Sequence, residues 1–66
     1  MAAPVNVNAA DEAALAKLKG IGPVKAKALV AYRQQNGPFK SVDDLKKIKG
    51  IGQKTLEQLK DQIVLQ

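Results

Sequence analysis

The chain has no cysteine, no histidine and no tryptophan, and Tyr32 and Phe39 are its only aromatic residues. Lacking thiols, it has no disulfide staples and no cysteine nucleophile. Lacking imidazoles as well, it offers neither a zinc ligand set nor the commonest general base. No apolar run comes near the ~20 residues that a membrane-spanning helix needs. Acids are scarce too: six Asp and Glu stand against eleven Lys and Arg, a formal charge of +5. Those acids, Asp11, Glu12, Asp43, Asp44, Glu57 and Asp61, are scattered over expected caps and helix surfaces. Nothing pairs them for acid–base or metal work. An enzyme is therefore the weakest reading, and no catalytic residue, metal-binding side chain or cofactor is expected.

What remains is small, aliphatic and basic. Sixty-six residues make one domain, with no room for a separate catalytic one. A chain of this length buries only about 60% of the surface that its unfolded form exposes. The apolar share of 45% is ordinary for a globular chain and argues against disorder. Its Ala, Leu, Ile and Val suit closely packed helices. The charge favours a polyanionic partner, although small soluble domains often carry as much for solubility alone.

Shifted against itself by thirty residues, the chain repeats. Leu15-Ala16-Lys17-Leu18-Lys19-Gly20-Ile21-Gly22 falls on Leu45-Lys46-Lys47-Ile48-Lys49-Gly50-Ile51-Gly52, and Leu29 falls on Leu59. Both copies read apolar, two residues, apolar, Lys, Gly-Ile-Gly, and then a helical pattern. One unit is used twice.

In the first unit Asp11 is the expected N-cap of a helix that presents Ala14, Leu15 and Leu18 on one face. Lys17 and Lys19 complement the C-terminal end of that helix, and Gly20 suits the left-handed conformation that stops it. Pro23 fits the start of the next helix, which buries Ala26, Leu29, Val30 and one side of Tyr32. In the second unit Ser41 is the expected cap, with Asp44 three residues on as a weak capping box. Val42, Leu45 and Ile48 form its first stripe; Leu56, Leu59 and Ile63 form the stripe of the last helix. Between the units Asn36-Gly37-Pro38 ends the long helix and Phe39 plugs the joint. Val5-Asn6-Val7 alternates but is too short to count as a strand. The expected fold is all-α, with about four short helices in two tandem helix-hairpin-helix units about a pseudo-two-fold axis. An extended lead-in over residues 1–10 precedes the domain of residues 11–66, divided into a first unit 11–35, a linker 36–40 and a second unit 41–66.

A Lys-Gly-Ile-Gly turn between helices has a physical use. Glycines leave no side chain to block the approach of another backbone, and the helix that follows begins with unpaired N–H groups and partial positive charge. Gly22, Val24 and Lys25 are the expected donors of the first hairpin, since Pro23 has none; Gly52, Gln53 and Lys54 are those of the second. Lys19 and Lys25 flank one hairpin, Lys49 and Lys54 the other. Lys17, Lys27, Lys46 and Lys47 stand farther back, and all add attraction without reading bases. No cluster of Asn, Gln or Arg stands out as a base reader, so little sequence preference is expected. A single such turn is often only a helix stop with a lysine on its dipole. Two copies, both ringed with lysine, argue for two phosphate clamps, one for each strand of a duplex. Ile21 and Ile51 read as packing beneath their own hairpins. Arg33 reads as solvated or phosphate-contacting.

These residues carry a resemblance. The paired Gly-Ile-Gly hairpins, the stretch from Tyr32-Arg33 to Gly37-Pro38-Phe39-Lys40-Ser41, Asp43-Asp44-Leu45, and the opening Val5-Asn6-Val7-Asn8-Ala9-Ala10 together resemble the DNA-binding domain of the competence protein ComEA family. The resemblance implies a receptor for incoming duplex DNA in natural transformation. It places the DNA contacts at Gly20, Ile21, Gly22, Val24 and Lys25, and at Gly50, Ile51, Gly52, Gln53 and Lys54. It also brings the option of a monovalent cation on the hairpin carbonyls, and other DNA-uptake components as partners. Met1-Ala2-Ala3-Pro4 reads as a start codon before a processed N-terminus. The expectation is thus a periplasmic protein, with the cytoplasm as the alternative, monomeric without DNA and making no membrane contact. Rival readings are a DNA-binding appendage of a repair enzyme, separable by its linkage to a nuclease or ligase domain, and a helical protein-interaction module, which needs an exposed apolar face.

Overall fold

The computed structural model describes residues 4–66; the reading of Met1-Ala2-Ala3 lies outside them. Four helical segments follow a short strand, β1 (Val5–Asn6): α1 (Glu12–Ala16), α2 (Gly22–Asn36), a 3-10 helix (Val42–Lys47) and α3 (Gln53–Leu59). A second short strand, β2 (Ile63–Val64), closes the chain. The all-α class expected from the repeat holds, with this strand pair as its one addition.

Local signals account for several boundaries. The Asp11 carboxylate accepts the N–H of Ala14 at 2.8 Å, the capping bond that starts α1. Asn36 ends α2, where Gly37 takes φ 88°, a conformation that side chains disfavour, and Pro38 cannot continue the helix. Phe39 is buried and its ring stacks on Tyr32, centroids 5.0 Å apart.

Other expectations are corrected. α1 stops at Ala16, so Leu18 reaches the core from a turn, held by its N–H to Leu15 O at 3.1 Å. The second unit opens with a 3-10 helix, for which the spacing of Val42, Leu45 and Ile48 at three residues is the natural period. The Ser41 side chain makes no capping bond; instead the Asp44 carboxylate accepts the Lys40 N–H at 3.1 Å. Ile63 does not extend the stripe of α3, which ends at Leu59. It lies in β2, and Val5-Asn6, discounted as a strand, pairs with β2 in parallel register, Val5 with Ile63 and Asn6 with Val64. The cause is non-local: Val5 donates to Gln62 O at 2.8 Å and Val7 to Val64 O at 3.1 Å. Arg33 is half-buried and not simply a solvated cation. Its Nη1 donates to Val7 O at 2.9 Å, tying α2 to the lead-in.

The core repeats as the sequence does. Leu15 and Leu45, Leu18 and Ile48, Ile21 and Ile51, Ala26 and Leu56, and Leu29 and Leu59 are all buried. Val7, Phe39 and Ile63 complete the cluster from outside the repeat. Asn8 fastens the lead-in to the inter-unit joint by two bonds: its Nδ2 donates to Phe39 O at 3.0 Å, and its Oδ1 accepts from Phe39 N at 2.7 Å.

Asn8→Ala strands both main-chain groups of Phe39 in a partly buried site, at a cost of about 1–3 kcal/mol. The expected result is a lower urea midpoint at unchanged slope. The Lys40 N–H, followed by the charge of Lys47, holds the Asp44 carboxyl below its ordinary range. A depressed carboxyl stabilises the fold above its unfolded pKa, and that contribution is lost as pH falls through the folded one. Asp44→Asn is therefore expected to lower the thermal midpoint at pH 7 and to match the parent chain well below about pH 4.

Candidate nucleic-acid interface

Each hairpin is built the same way. The N–H of Ile21 bonds Leu18 O at 3.1 Å, and that of Ile51 bonds Ile48 O at 3.0 Å. Gly20 and Gly50 take φ 90° and 94°, reversing the chain where a side chain would be strained. Ile21 and Ile51 are buried beneath the turns, as the packing reading of these residues expects. Their side chains are turned inward.

The hairpins also seat on each other's helices. A Cβ added to Gly20 would lie 2.5 Å from Gln58 Oε1 and 3.6 Å from Thr55 Cγ2, on α3. One added to Gly50 would lie 3.1 Å from Lys25 Cε, on α2. Thr55 and Lys25 are themselves thirty positions apart, so the pseudo-two-fold axis is visible in side-chain packing. Gln62 secures the first hairpin further: Lys19 N–H donates to its Oε1 at 2.9 Å, and its Nε2 donates to Gln58 O at 2.7 Å. Gln58 and Gln62 carry no sequence signal for this role, because they meet the first turn from the other unit, up to 43 residues away along the chain; Lys25 is marked by its charge and not by its stem.

Among the described residues, no bond outside the helices engages the N–H groups of Gly22 and Val24, or those of Gly52, Gln53 and Lys54; the N–H of Lys25 instead closes the first turn of α2. The first bond of α3 runs from Leu56 N–H to Gly52 O at 2.9 Å, so the donors before it face outward. The turns differ in the backbone of their second glycine. Gly22 has φ 73° and Gly52 φ −102°, both with open space at the Cβ position.

Lys19, Lys49 and Lys54 are exposed, and Lys25 is half-buried with its ammonium 3.4 Å from Gly20 O. The ion pairs among the described residues, Lys47 with Asp44 at 3.6 Å and Lys60 with Glu57 at 3.2 Å, lie outside both hairpins. The Gln53 amide is engaged with Glu57 at 2.7 Å, leaving the Gln53 backbone donor free. The Lys60 ammonium, with help from Gln53, holds the Glu57 carboxyl below its usual range. The surface around the hairpins is thus cationic, rich in outward donors and unneutralised. No cluster of metal-ligating side chains occurs among the described residues.

Two helices about a glycine turn, repeated, define the class. The chain belongs to the helix-hairpin-helix family, whose motif it matches over residues 2–64. It is 43% identical over 61 residues to ComE operon protein 1 of Bacillus subtilis (strain 168), covering 92% of this chain and 30% of that protein. It is 41% identical over 61 residues to an uncharacterized protein of Haemophilus influenzae, covering 91% and 54% respectively. A third relative, endonuclease/exonuclease/phosphatase family domain-containing protein 1 of Mus musculus, is 37% identical over 59 residues, 89% of this chain and 10% of that one. The chain thus spans about a third to about a half of the length of these bacterial relatives. The resemblance to the competence protein ComEA family holds, and family and similarity together support DNA binding.

Gly50→Ala forces a side chain into a left-handed conformation and against Lys25. It is expected to cost about 1–3 kcal/mol by denaturant titration. Gly52→Ala, at a permitted φ with open space, is expected to cost no more than about 1 kcal/mol, chiefly as a poorer helix cap.

Proposed function

We propose that this chain is a non-enzymatic, sequence-independent double-stranded DNA-binding module that grips one strand with each hairpin. The observation that carries the reading is the reciprocal hairpin pair with its outward N–H groups and unneutralised lysines. The backbone amides of Gly22 and Val24, and of Gly52, Gln53 and Lys54, take phosphate oxygens at the starts of two helices. Gly22 and Gly52, with open space at their Cβ positions, let the phosphate backbone come close, while Gly20 and Gly50 shape the turns that present them. Lys19, Lys25, Lys49 and Lys54 add long-range attraction, released counterions supply much of the affinity, and no base is read. Ile21 and Ile51 act from below by holding the turns in shape.

The biological role carried over is that of a DNA receptor in natural transformation, placed in the periplasm and monomeric in the absence of DNA. Similarity to ComE operon protein 1 supports it. The matches to endonuclease/exonuclease/phosphatase family domain-containing protein 1 favour a second setting, as a DNA-binding appendage of a larger enzyme. The binding mechanism is common to both.

Titration against a random-sequence fluorescent duplex tests the mechanism. With about four to six phosphates engaged, affinity should fall on the order of a few hundredfold between 50 and 200 mM salt. Gly52→Val is the informative variant, because the backbone there tolerates a side chain, whereas Gly22 is strained by any. The expected result is a folded protein that has lost most of its affinity. Full binding by a folded Gly52→Val, or salt-insensitive binding by the parent, would overturn the clamp.

A further inference from the structure

Val24 is 82% exposed, and no other large hydrophobic side chain among the described residues is left so open. It stands in the first turn of α2 and supports no packing. Its counterpart thirty positions on is Lys54, also exposed. Beside Val24 an open groove of about 620 Å³ runs between the two hairpins. Ile21, Pro23, Val24 and Ala28 give it an apolar wall, and Lys25 and Lys49 stand along it.

The equivalent place across the pseudo-two-fold axis is unlike it. There Gln53, Lys54, Thr55 and Gln58 replace Pro23, Val24, Lys25 and Ala28, and the Gln58 side chain closes on the Gly20 backbone. The units share one core pattern and differ at this surface. Folding therefore does not account for an apolar residue at position 24.

None of the six acids lines the groove, so Lys25 and Lys49 set its field, and that field suits an anion. A free phosphate has no use for the apolar wall, and an apolar peptide has none for the lysines. A sugar–phosphate backbone uses both: deoxyribose C–H faces cover Val24 and Ala28, and the adjoining phosphates meet the ammonium groups. We propose that this groove seats a stretch of DNA backbone with deoxyribose against Val24, and thereby favours DNA over RNA duplex. A ribose would bring its 2′-hydroxyl against the same wall, stripped of water and unpaired. The selection extends the DNA-binding function proposed above and rests on it.

The test compares the parent chain and Val24→Ser on DNA and RNA duplexes of one sequence at several salt concentrations. Circular dichroism checks that the exposed substitution leaves the fold intact. The parent is expected to bind the DNA about tenfold more tightly than the RNA. Val24→Ser is expected to weaken DNA binding about fivefold and to leave RNA binding unchanged. The salt slope stays the same, because valine releases no counterions. An equal loss on both duplexes, or no loss on DNA, overturns the sugar seat while leaving the phosphate clamps standing. A parent chain that does not bind DNA at all overturns both.

Discussion

Each hairpin lies on the first two turns of the other unit's second helix, Gly20 against Thr55 and Gln58 and Gly50 against Lys25. The rest of the architecture depends on that mutual seat. α1 has five residues and α3 has seven, both far below the length at which a helix holds in water by itself. Neither unit has enough apolar surface for a core of its own, so each supplies the wall that the other lacks. Glycine at positions 20 and 50 serves two ends at once. It permits the left-handed turn, and it lets the turn come within contact distance of the neighbouring helix. The close packing that builds the fold thus also presents two helix starts, side by side, with their donors facing outward.

Much of this was legible in the sequence, because the signals involved are local or repeated. The offset of thirty located both turns and paired most of the core, and Asp11, Gly37 and Phe39 did what cap, stop and plug residues do. The features that escaped are non-local. The pairing of Val5-Asn6 with Ile63-Val64 spans nearly the whole chain, and two-residue strands have no period to detect. Ile63 continued the helical spacing of Leu56 and Leu59, and only a partner strand at the other end of the chain overruled it. Arg33 looked like a surface cation until the Val7 carbonyl was seen beside it. In the hairpins, residue types pointed to the turns, but nothing in them foretold that Gln58 and Gln62 brace one turn while a lysine stem braces the other.

The braces explain how a symmetric scaffold carries an asymmetric surface. Symmetry lies in the buried pairs, where a change in one unit must be matched by its neighbours. The outward positions are under no such constraint. Pro23 and Val24 face solvent where Gln53 and Lys54 do, and each pair can serve its own contact without disturbing the core. Two units folded as one body also hold both hairpins at a fixed separation, so under the proposed clamp DNA that meets one hairpin has the other already at hand. In energetic terms the second contact is intramolecular, and no ordering of a linker opposes it.

The parallel sense of the terminal strands has a mechanical meaning. Chain preceding Val5 leaves beside Ile63, and chain following Val64 leaves beside Asn6, at opposite ends of the pair. Tension applied between the two ends therefore slides the strands along each other instead of peeling them apart. The bonds from Val5 to Gln62, from Val7 to Val64 and from Gln66 to the Asn6 side chain share that force together. An antiparallel pair in the same place would open one bond at a time, like a zip. The shortest elements in the molecule are thus arranged in the geometry that best resists traction, and Gln62 ties them to the first hairpin through its bonds to Lys19.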